Sequence, residues 1–232
     1  LVIGNNNYEN FPTLETPIND AKKIGEMLEK KYNFTVNVLQ DATKDDILTS
    51  LYAYRNILTK EDNLLIYYAG HGTVSTLTQE GIWQPIGAND NDWSGILNSE
   101  IVKIIENLNA KHIIVIADSC FSGSILNEWE LKVVKGEIDN MPDSKDNLLD
   151  FFIMKNIRKA RVAMTSGNLE YVPDKINEFD IHSAFAKTLM DILSNNYEPM
   201  LSNELFVKLQ KKLYNFETIQ EPLYGGINTK SH

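Results

Sequence analysis

Unbroken apolar runs alternate along this chain with amphipathic helical segments, and this alternation limits the fold more than any other feature. The stretches 63-NLLIYYAGHG-72 and 112-HIIVIADSCFSGS-124 are continuous apolar runs that end in glycine or small polar residues. By contrast, 16-TPINDAKKIGEMLEKKY-32 places its apolar residues on one helical face. Such strands separated by helices predict an α/β protein with a mostly parallel sheet covered on both faces.

The same patterns divide the whole chain into elements. The predicted helices span residues 16–32, 43–58, 98–109, 182–195 and 202–216. The predicted strands span residues 1–4, 34–40, 63–72, 113–118 and 161–167, with a last edge strand at 219–226. Thr43 and Asp46 have the spacing of a capping box at the start of the second helix. The 232 residues suit one large domain or two small ones, and we predict a single domain, 1–232.

Charge and composition exclude several classes of function. The net charge of −10 argues against nucleic acid or an anionic membrane as a partner, because both attract basic patches. No apolar run approaches the roughly 18 residues of a membrane span. The single cysteine excludes an internal disulfide framework and fits a reducing compartment, so we expect a cytoplasmic protein.

Two strand ends carry the residues with the clearest chemistry. The third strand ends in 67-YYAGHG-72 and the next buried strand ends in 117-ADSCFSG-123. If the two strands are neighbours in a parallel sheet, His71 and Cys120 lie at the same edge. An imidazole beside a thiol increases the thiolate fraction and can protonate a leaving amine, which is the basis of cysteine protease chemistry.

Each of these two residues also has a structural interpretation. A lone buried cysteine more often packs than reacts, and a histidine between glycines can belong to a turn. The other histidines, His112, His182 and His232, are expected to be structural or solvated. The joint placement of His71 and Cys120, 49 residues apart by numbering (120 − 71), favours catalysis.

Small residues next to this pair complete the predicted active site. The backbone N–H groups of Gly72 and Cys120 can form an oxyanion hole. The sequence offers no clear third side chain to orient His71, and a backbone carbonyl can take that role.

The two motifs resemble those of caspase-like cysteine peptidases (family C14), on the metacaspase and bacterial orthocaspase side. A histidine about 50 residues before the cysteine is part of the caspase signature. Further segments resemble the family's other landmarks in the same order: 1-LVIGNNNY-8, 14-LETPINDA-21, 83-WQPIGAND-90, 164-MTSGN-168, 182-HSAFAKTLMDIL-193 and 220-QEPLYGG-226. The resemblance implies a caspase-hemoglobinase fold, a three-layer αβα sandwich around a six-stranded, mostly parallel sheet. It also implies endopeptidase activity through an acyl-enzyme.

The resemblance further implies which residues line the substrate pocket. Metazoan caspases have QAC at the catalytic cysteine and cut after aspartate, whereas this chain has DSC. In metacaspase-like members, the acids that match Asp20 and Asp118 favour Arg or Lys before the scissile bond. Two partly desolvated carboxylates pair well with a cation. A small or apolar preference remains the alternative, because Ala69 stands where some relatives have serine, and the two acids can also be a helix first-turn acid and a turn cap.

No metal or other cofactor is expected. Calcium-dependent metacaspases carry an acidic cluster, and the matching stretches here, 85-PIGA-88 and 97-LNSE-100, lack most of it. Asp90 and Asp92 alone are few ligands for Ca²⁺, which usually takes six or more oxygens. We therefore expect activity without calcium.

The resemblance also predicts a division of the chain. Residues 1–123 correspond to a large-subunit-like part and 156–232 to a small-subunit-like part, joined by a polar linker at 124–155. If the pocket binds basic residues, this linker is a candidate for self-cleavage at Lys132, Lys135, Lys145 or Lys155; the alternative is an exposed solvated loop.

The predicted function is that of a cysteine endopeptidase acting on a protein or peptide substrate, with a sensor or regulatory domain as a further expected partner by analogy with bacterial relatives. Two other functions fit the same fold. One is a caspase-fold signalling module that is weakly active or needs an activator. The other is a flavodoxin-like binding domain, which is disfavoured because 4-GNNNY-8 is a poor phosphate loop.

Overall fold

The computed structural model describes residues 1–120, 122–126, 159–167, 173–214 and 220–227. Most of the predicted linker 124–155 lies outside the described residues, together with the four lysines at which self-cleavage was predicted. Within the described part of the chain, no helix is both long enough and apolar enough to cross a membrane.

A six-stranded sheet lies at the centre of the fold, in the order β2-β1-β3-β7-β8-β9. Its strands are β1 (Val2–Gly4), β2 (Val38–Gln40), β3 (Asn63–Ala69), β7 (His112–Asp118), β8 (Ala160–Thr165) and β9 (Leu223–Gly226). All neighbouring pairs are parallel except β8 and β9, which are antiparallel. The predicted mostly parallel sheet with an edge strand at the chain's end is confirmed.

Five α-helices among the described residues cover the two faces of this sheet. They are α1 (Pro17–Tyr32), α2 (Lys44–Ile57), α3 (Asn98–Glu106), α4 (Ala184–Ser194) and α5 (Ser202–Leu213). Helices α2 and α3 enclose one core with side chains such as Tyr68 and Val115, while α1, α4 and α5 enclose the other with Tyr67 and Ile116. Alternate residues of each buried strand therefore enter opposite cores, and the predicted αβα sandwich is confirmed.

The helix starts follow from local sequence. The Thr43 side chain accepts a hydrogen bond from the Asp46 N–H, and the Asp46 carboxylate accepts one from the Thr43 N–H, which is the predicted capping box. Helix α1 has Pro17 in its first turn, where the missing N–H has no intrahelical partner. Its last residue, Tyr32, is followed by the C-cap Asn33, whose φ of 57° is the left-handed conformation typical of a helix end.

Two features differ from the sequence-based prediction. The predicted strand 34–40 pairs only over Val38–Gln40. A second, three-stranded antiparallel sheet, which was not predicted, follows β3 and consists of β4 (Gly72–Val74), β5 (Gly81–Trp83) and β6 (Ile96–Leu97). Strands of two or three residues are too short for a periodic pattern to develop, so their pairing depends on tertiary contacts.

Candidate active site

The register between β3 and β7 places the two motif residues at the same sheet edge. Ala69 and Asp118 are paired at the ends of the two parallel strands, and the Gly70 N–H donates to the Asp118 carbonyl oxygen at 3.4 Å. His71 and Cys120 each follow two residues later. The adjacency on which the sequence argument depended is therefore present.

A pocket opens at this edge, and four of the predicted site residues line it. Four parts of the chain enclose it: the loop between β1 and α1, the first turn of α1, the ends of β3 and β7, and the segment before α4. Its lining residues are Leu14, Thr16, Pro17, Asp20, Ala69, Gly70, His71, Asp118, Ser119, Cys120, Pro173, Asp174 and Ser183. The structure thus brings His71, Cys120, Asp20 and Asp118 into one cavity.

His71 is held by aromatic neighbours and by its own backbone. The Tyr8 ring lies 4.7 Å from the imidazole, centroid to centroid, and the Phe11 ring lies 5.7 Å away. The His71 N–H donates to the Tyr8 hydroxyl at 2.9 Å. The Tyr68 hydroxyl lies 2.7 Å from the His71 carbonyl oxygen. These contacts fix both the main chain and the ring of His71.

A backbone carbonyl orients the imidazole. The Nε2 atom of His71 lies 2.7 Å from the Pro12 carbonyl oxygen. Because a carbonyl oxygen only accepts hydrogen bonds, Nε2 carries the hydrogen and donates it. In the neutral ring, Nδ1 then keeps the lone pair that can take a proton. The sequence suggested that a backbone carbonyl can orient His71, but nothing in it indicated Pro12.

Glycines on both sides of His71 allow the strand ends to approach. A β-carbon at Gly70 would lie 2.5 Å from the Tyr8 hydroxyl oxygen, which is closer than van der Waals contact permits. Gly72 begins β4, and its backbone lies against the carbonyl of Cys120. Both predicted oxyanion residues are therefore adjacent in space.

Asp20 and Asp118 are buried at the base of the pocket and share one partner. Asp20 is 0% and Asp118 7% exposed. Ser183, the residue before α4, donates its hydroxyl to Asp118 Oδ2 at 2.5 Å and its N–H to Asp20 Oδ2 at 3.2 Å. The Tyr67 hydroxyl lies 3.4 Å from Asp118 Oδ2. One serine therefore joins the two predicted pocket acids.

The burial of these acids changes their ionisation. Burial, and then the nearby charge of Asp118, raise the pKa of Asp20 to about 8. Burial also raises the pKa of Asp118 to about 6, although the hydrogen bond from Ser183 acts in the opposite direction. Perturbed pKa values cluster at functional sites, so two buried carboxyl groups with raised pKa values make this pocket a candidate functional site.

A third acid of the pocket was missed from the sequence. Asp174 accepts hydrogen bonds from the Glu15 N–H at 2.7 Å and from the Thr16 hydroxyl at 2.6 Å. Thr16 is the N-cap of α1 and makes no side-chain cap bond within its own helix. Asp174 therefore closes the wall of the pocket from a segment that is distant in sequence, and no local pattern indicates this contact.

His182 was also assigned no site role from the sequence. Its Nδ1 atom lies 2.6 Å from Asp20 Oδ1. The helix that it was predicted to start begins two residues later, at Ala184, with Ser183 as its N-cap. The consecutive residues His182 and Ser183, directly before α4, therefore both contact Asp20.

Residues between and within the two stretches matched to the family's calcium site have internal partners. Asp92 Oδ2 accepts a hydrogen bond from the Ser75 hydroxyl at 2.6 Å. The Lys44 ammonium donates to the carbonyl oxygens of Trp93 and Gly95 and forms an ion pair with Glu100 at 3.8 Å. Among the described residues, no group of three or more His, Cys, Asp or Glu side chains is placed to hold a metal ion.

Comparison with known families identifies the type of domain. A family model described as the caspase domain of the C14 peptidases matches residues 1–230 of this chain. The match covers both strand ends of the pocket and the segment that carries Asp174, His182 and Ser183.

Two individual proteins show weaker similarity. The human mucosa-associated lymphoid tissue lymphoma translocation protein 1 is 35% identical over 72 residues, which is 31% of this chain and 9% of that protein. The chain therefore aligns with less than a tenth of that relative's length. A crystal structure of a Geobacter sulfurreducens protein superposes with a TM-score of 0.65 at 15% identity, covering 99% of this chain and 93% of the other. This second likeness shows the fold alone.

Proposed function

This chain belongs to the caspase-domain family of C14 peptidases, and on that premise we propose that it is a cysteine endopeptidase that cuts after Arg or Lys. The observation that carries the proposal is that His71, Cys120, Asp20 and Asp118 line one pocket. Nucleophile, base and two buried carboxylates meet in one cavity, and each has a place in the same reaction.

Cys120 is the proposed nucleophile and His71 the acid and base. Nδ1 of His71 takes the thiol proton, and the thiolate sulfur attacks the scissile carbonyl carbon. The developing oxyanion is stabilised by the N–H groups of Gly72 and Cys120. His71 then gives the proton to the leaving amine, the C–N bond breaks, and a thioester remains on Cys120. Water, deprotonated by the same imidazole, hydrolyses the thioester and restores the thiol.

Pro12, Tyr8 and Phe11 support this cycle by holding the imidazole. The Nε2 hydrogen bond to the Pro12 carbonyl fixes the tautomer and stabilises the imidazolium that forms during the reaction. The two aromatic rings limit rotation of the imidazole away from the pocket. Preorganisation of this kind lowers the cost of reaching the transition state.

The proposed substrate preference follows from the charge of the pocket. A guanidinium or ammonium group that enters displaces water and pairs with Asp20 and Asp118, which then ionise. An aspartate side chain in the same place would add a further carboxylate to Asp20 and Asp118 without a counter-charge. A small apolar side chain would leave both acids without a cation, so we rank it below Arg and Lys.

We extend the proposal to the remaining features of the site. We expect activity to need no calcium, because the Lys44 ammonium donates to carbonyl oxygens near the stretches matched to the calcium site. An unchanged hydrolysis rate in excess chelator would support this expectation. A rate that is lost in chelator and restored by Ca²⁺ would contradict it. The substrate is a protein or peptide, and a sensor or regulatory domain is a proposed partner. Self-cleavage is proposed after Lys132, Lys135, Lys145 or Lys155, which lie outside the described residues.

Hydrolysis of a fluorogenic peptide panel tests the proposal. The peptides differ only in the residue before the scissile bond, and Cys120→Ala serves as the inactive control. We expect release of the fluorophore after Arg and Lys, with none from the variant. Cleavage after another residue would retain the cysteine mechanism and reject the acidic pocket. Absence of cleavage from every peptide would favour a signalling module that needs an activator.

A further inference from the structure

Asp20 has a titratable partner on the side that faces away from the substrate pocket. His182 Nδ1 lies 2.6 Å from Asp20 Oδ1, and the imidazole side chain is 21% exposed while that of Asp20 is 1% exposed. Asp20 lines the pocket and His182 does not. The imidazole therefore contacts the Asp20 carboxyl group on the side away from the pocket, and the opposite side of that carboxyl group lines the pocket.

Consecutive residues fix both oxygens of Asp20. Oδ1 contacts His182, and Oδ2 accepts the N–H of Ser183 at 3.2 Å. Asp20 is 0% exposed, so its orientation depends on these protein partners. Both residues immediately precede α4, and Ser183 is the N-cap of that helix.

The charges around the pair oppose ionisation of Asp20. Asp118, on the end of β7, and Asp174, on the segment before α4, both repel a negative charge there. Burial, and then the charges of Lys187 on α4 and Lys23 on α1, lower the pKa of His182. A neutral imidazole with hydrogen on Nδ1 is then the partner that favours the ionised carboxylate, since a donated hydrogen bond stabilises the charged form.

We propose that His182 is a positioning residue for substrate selection, which donates its Nδ1 hydrogen to Asp20 and stabilises the ionised carboxylate that forms when an arginine or lysine side chain binds. The inference rests on the proposed basic-residue pocket and adds a residue that lines no part of it. On binding, the Asp20 proton leaves to solvent, the incoming cation replaces it, and His182 remains neutral as the hydrogen-bond donor.

Two variants separate this role from simple packing. His182→Leu removes the donor and keeps a side chain of similar size. His182→Asn keeps a side-chain N–H near the position of Nδ1 but does not titrate. Steady-state kinetics are measured from pH 5.5 to 9 on two peptides that differ only in arginine or citrulline before the scissile bond, because citrulline keeps the shape of arginine without its charge.

For His182→Leu, we expect KM for the arginine peptide to rise about tenfold, the size expected for one lost hydrogen bond to a charged group. We expect kcat and the citrulline kinetics to stay within about twofold of wild type. The pH at which KM for the arginine peptide falls should move upward in this variant, because Asp20 ionises less readily. His182→Asn should restore most of the lost affinity.

The possible failures are distinguishable. If wild type prefers arginine over citrulline but His182→Leu leaves KM and its pH dependence unchanged, the role of His182 is refuted and the pocket assignment stands. If His182→Leu slows both peptides equally, or His182→Asn is as impaired as His182→Leu, the residue only packs. If wild type cleaves both peptides equally, or neither, the proposed function fails and this inference fails with it.

Discussion

A β-carbon added at Gly72 would lie 2.1 Å from the carbonyl oxygen of Cys120. The backbone of the loop after β3 therefore touches the backbone that carries the proposed nucleophile. This contact sets the separation of the two strand ends, and with it the relative positions of the imidazole, the thiol and the two proposed oxyanion donors.

Gly72→Ala is expected to reduce kcat/KM by at least about 100-fold, the cost of losing one oxyanion donor, because a side chain at this position forces the two strand ends apart. Kinetics on the best substrate of the panel check the rate, and thermal unfolding checks the fold. Gly25→Ala, in α1, where an added β-carbon meets only valine methyl groups at 3.2 and 3.3 Å, is the matched control and should keep nearly full activity. Full activity in Gly72→Ala would contradict the close packing of the site.

Tyr8 holds His71 through its hydroxyl and its ring, and its removal should affect the chemical step. Tyr8→Phe leaves the His71 N–H without its acceptor, which costs about 1–3 kcal/mol for a buried donor and is shared between stability and positioning. We expect kcat to fall about fivefold to tenfold, with little change in KM. Tyr8→Leu, which also removes the ring, should lower kcat further. A KM effect without a kcat effect would place Tyr8 in substrate binding instead.

Asp20 should make the protein less stable as the pH rises. Its pKa is near 3.8 when unfolded and about 8 when folded, so between these values the folded state binds more protons than the unfolded state. The stability contribution of this group is complete below about pH 4 and is lost as the pH rises towards 8. Asp20→Asn cannot titrate and should avoid this loss.

We therefore expect the Tm difference, Asp20→Asn minus wild type, to increase from pH 5 to pH 8 by the equivalent of at least about 1 kcal/mol. Thermal unfolding at several pH values without substrate measures it. Replacing the carboxyl group also changes the hydrogen bonds of residue 20, but this contribution to the Tm difference is the same at each pH and does not affect its change with pH. A difference that stays constant with pH would mean that the folded carboxyl group ionises normally. The same variant should lose preference for arginine, so stability and selectivity would change in opposite directions.

The sequence predicted those parts of the site that depend on strand register. Continuous apolar runs indicate neighbouring parallel strands, and parallel neighbours bring their carboxyl ends together, which is why His71 and Cys120 were predictable as a pair. Asp118 followed because it ends the same strand. Asp20 came from resemblance to the family, since its first-turn position in α1 alone does not distinguish a pocket acid from a helix-terminus acid.

Contacts made by loops could not be predicted in the same way. Tyr8, Pro12, Asp174 and His182 lie outside regular elements, where no period indicates which side chain points inward. Their partners are 59 to 162 residues away in the chain. Only the general rule that ligands bind beyond the carboxyl ends of parallel strands indicated that such loops carry function. His182 is the clearest example of a contact that the sequence does not predict. Its place before α4 suggested a structural histidine, but its imidazole contacts a pocket acid, Asp20.

Covalent trapping of Cys120 tests the central claim most directly, since it requires the nucleophile and the acidic pocket together. Two peptidyl chloromethyl ketones that differ only in arginine or citrulline beside the reactive group are incubated with the protein, and intact mass is followed over time. The chain has one cysteine, so a single added mass that is absent in Cys120→Ala locates the label. We predict alkylation at least about 100-fold faster with arginine, equivalent to two charge-assisted hydrogen bonds, and a much smaller ratio in Asp20→Asn. Equal rates with arginine and citrulline would contradict the account.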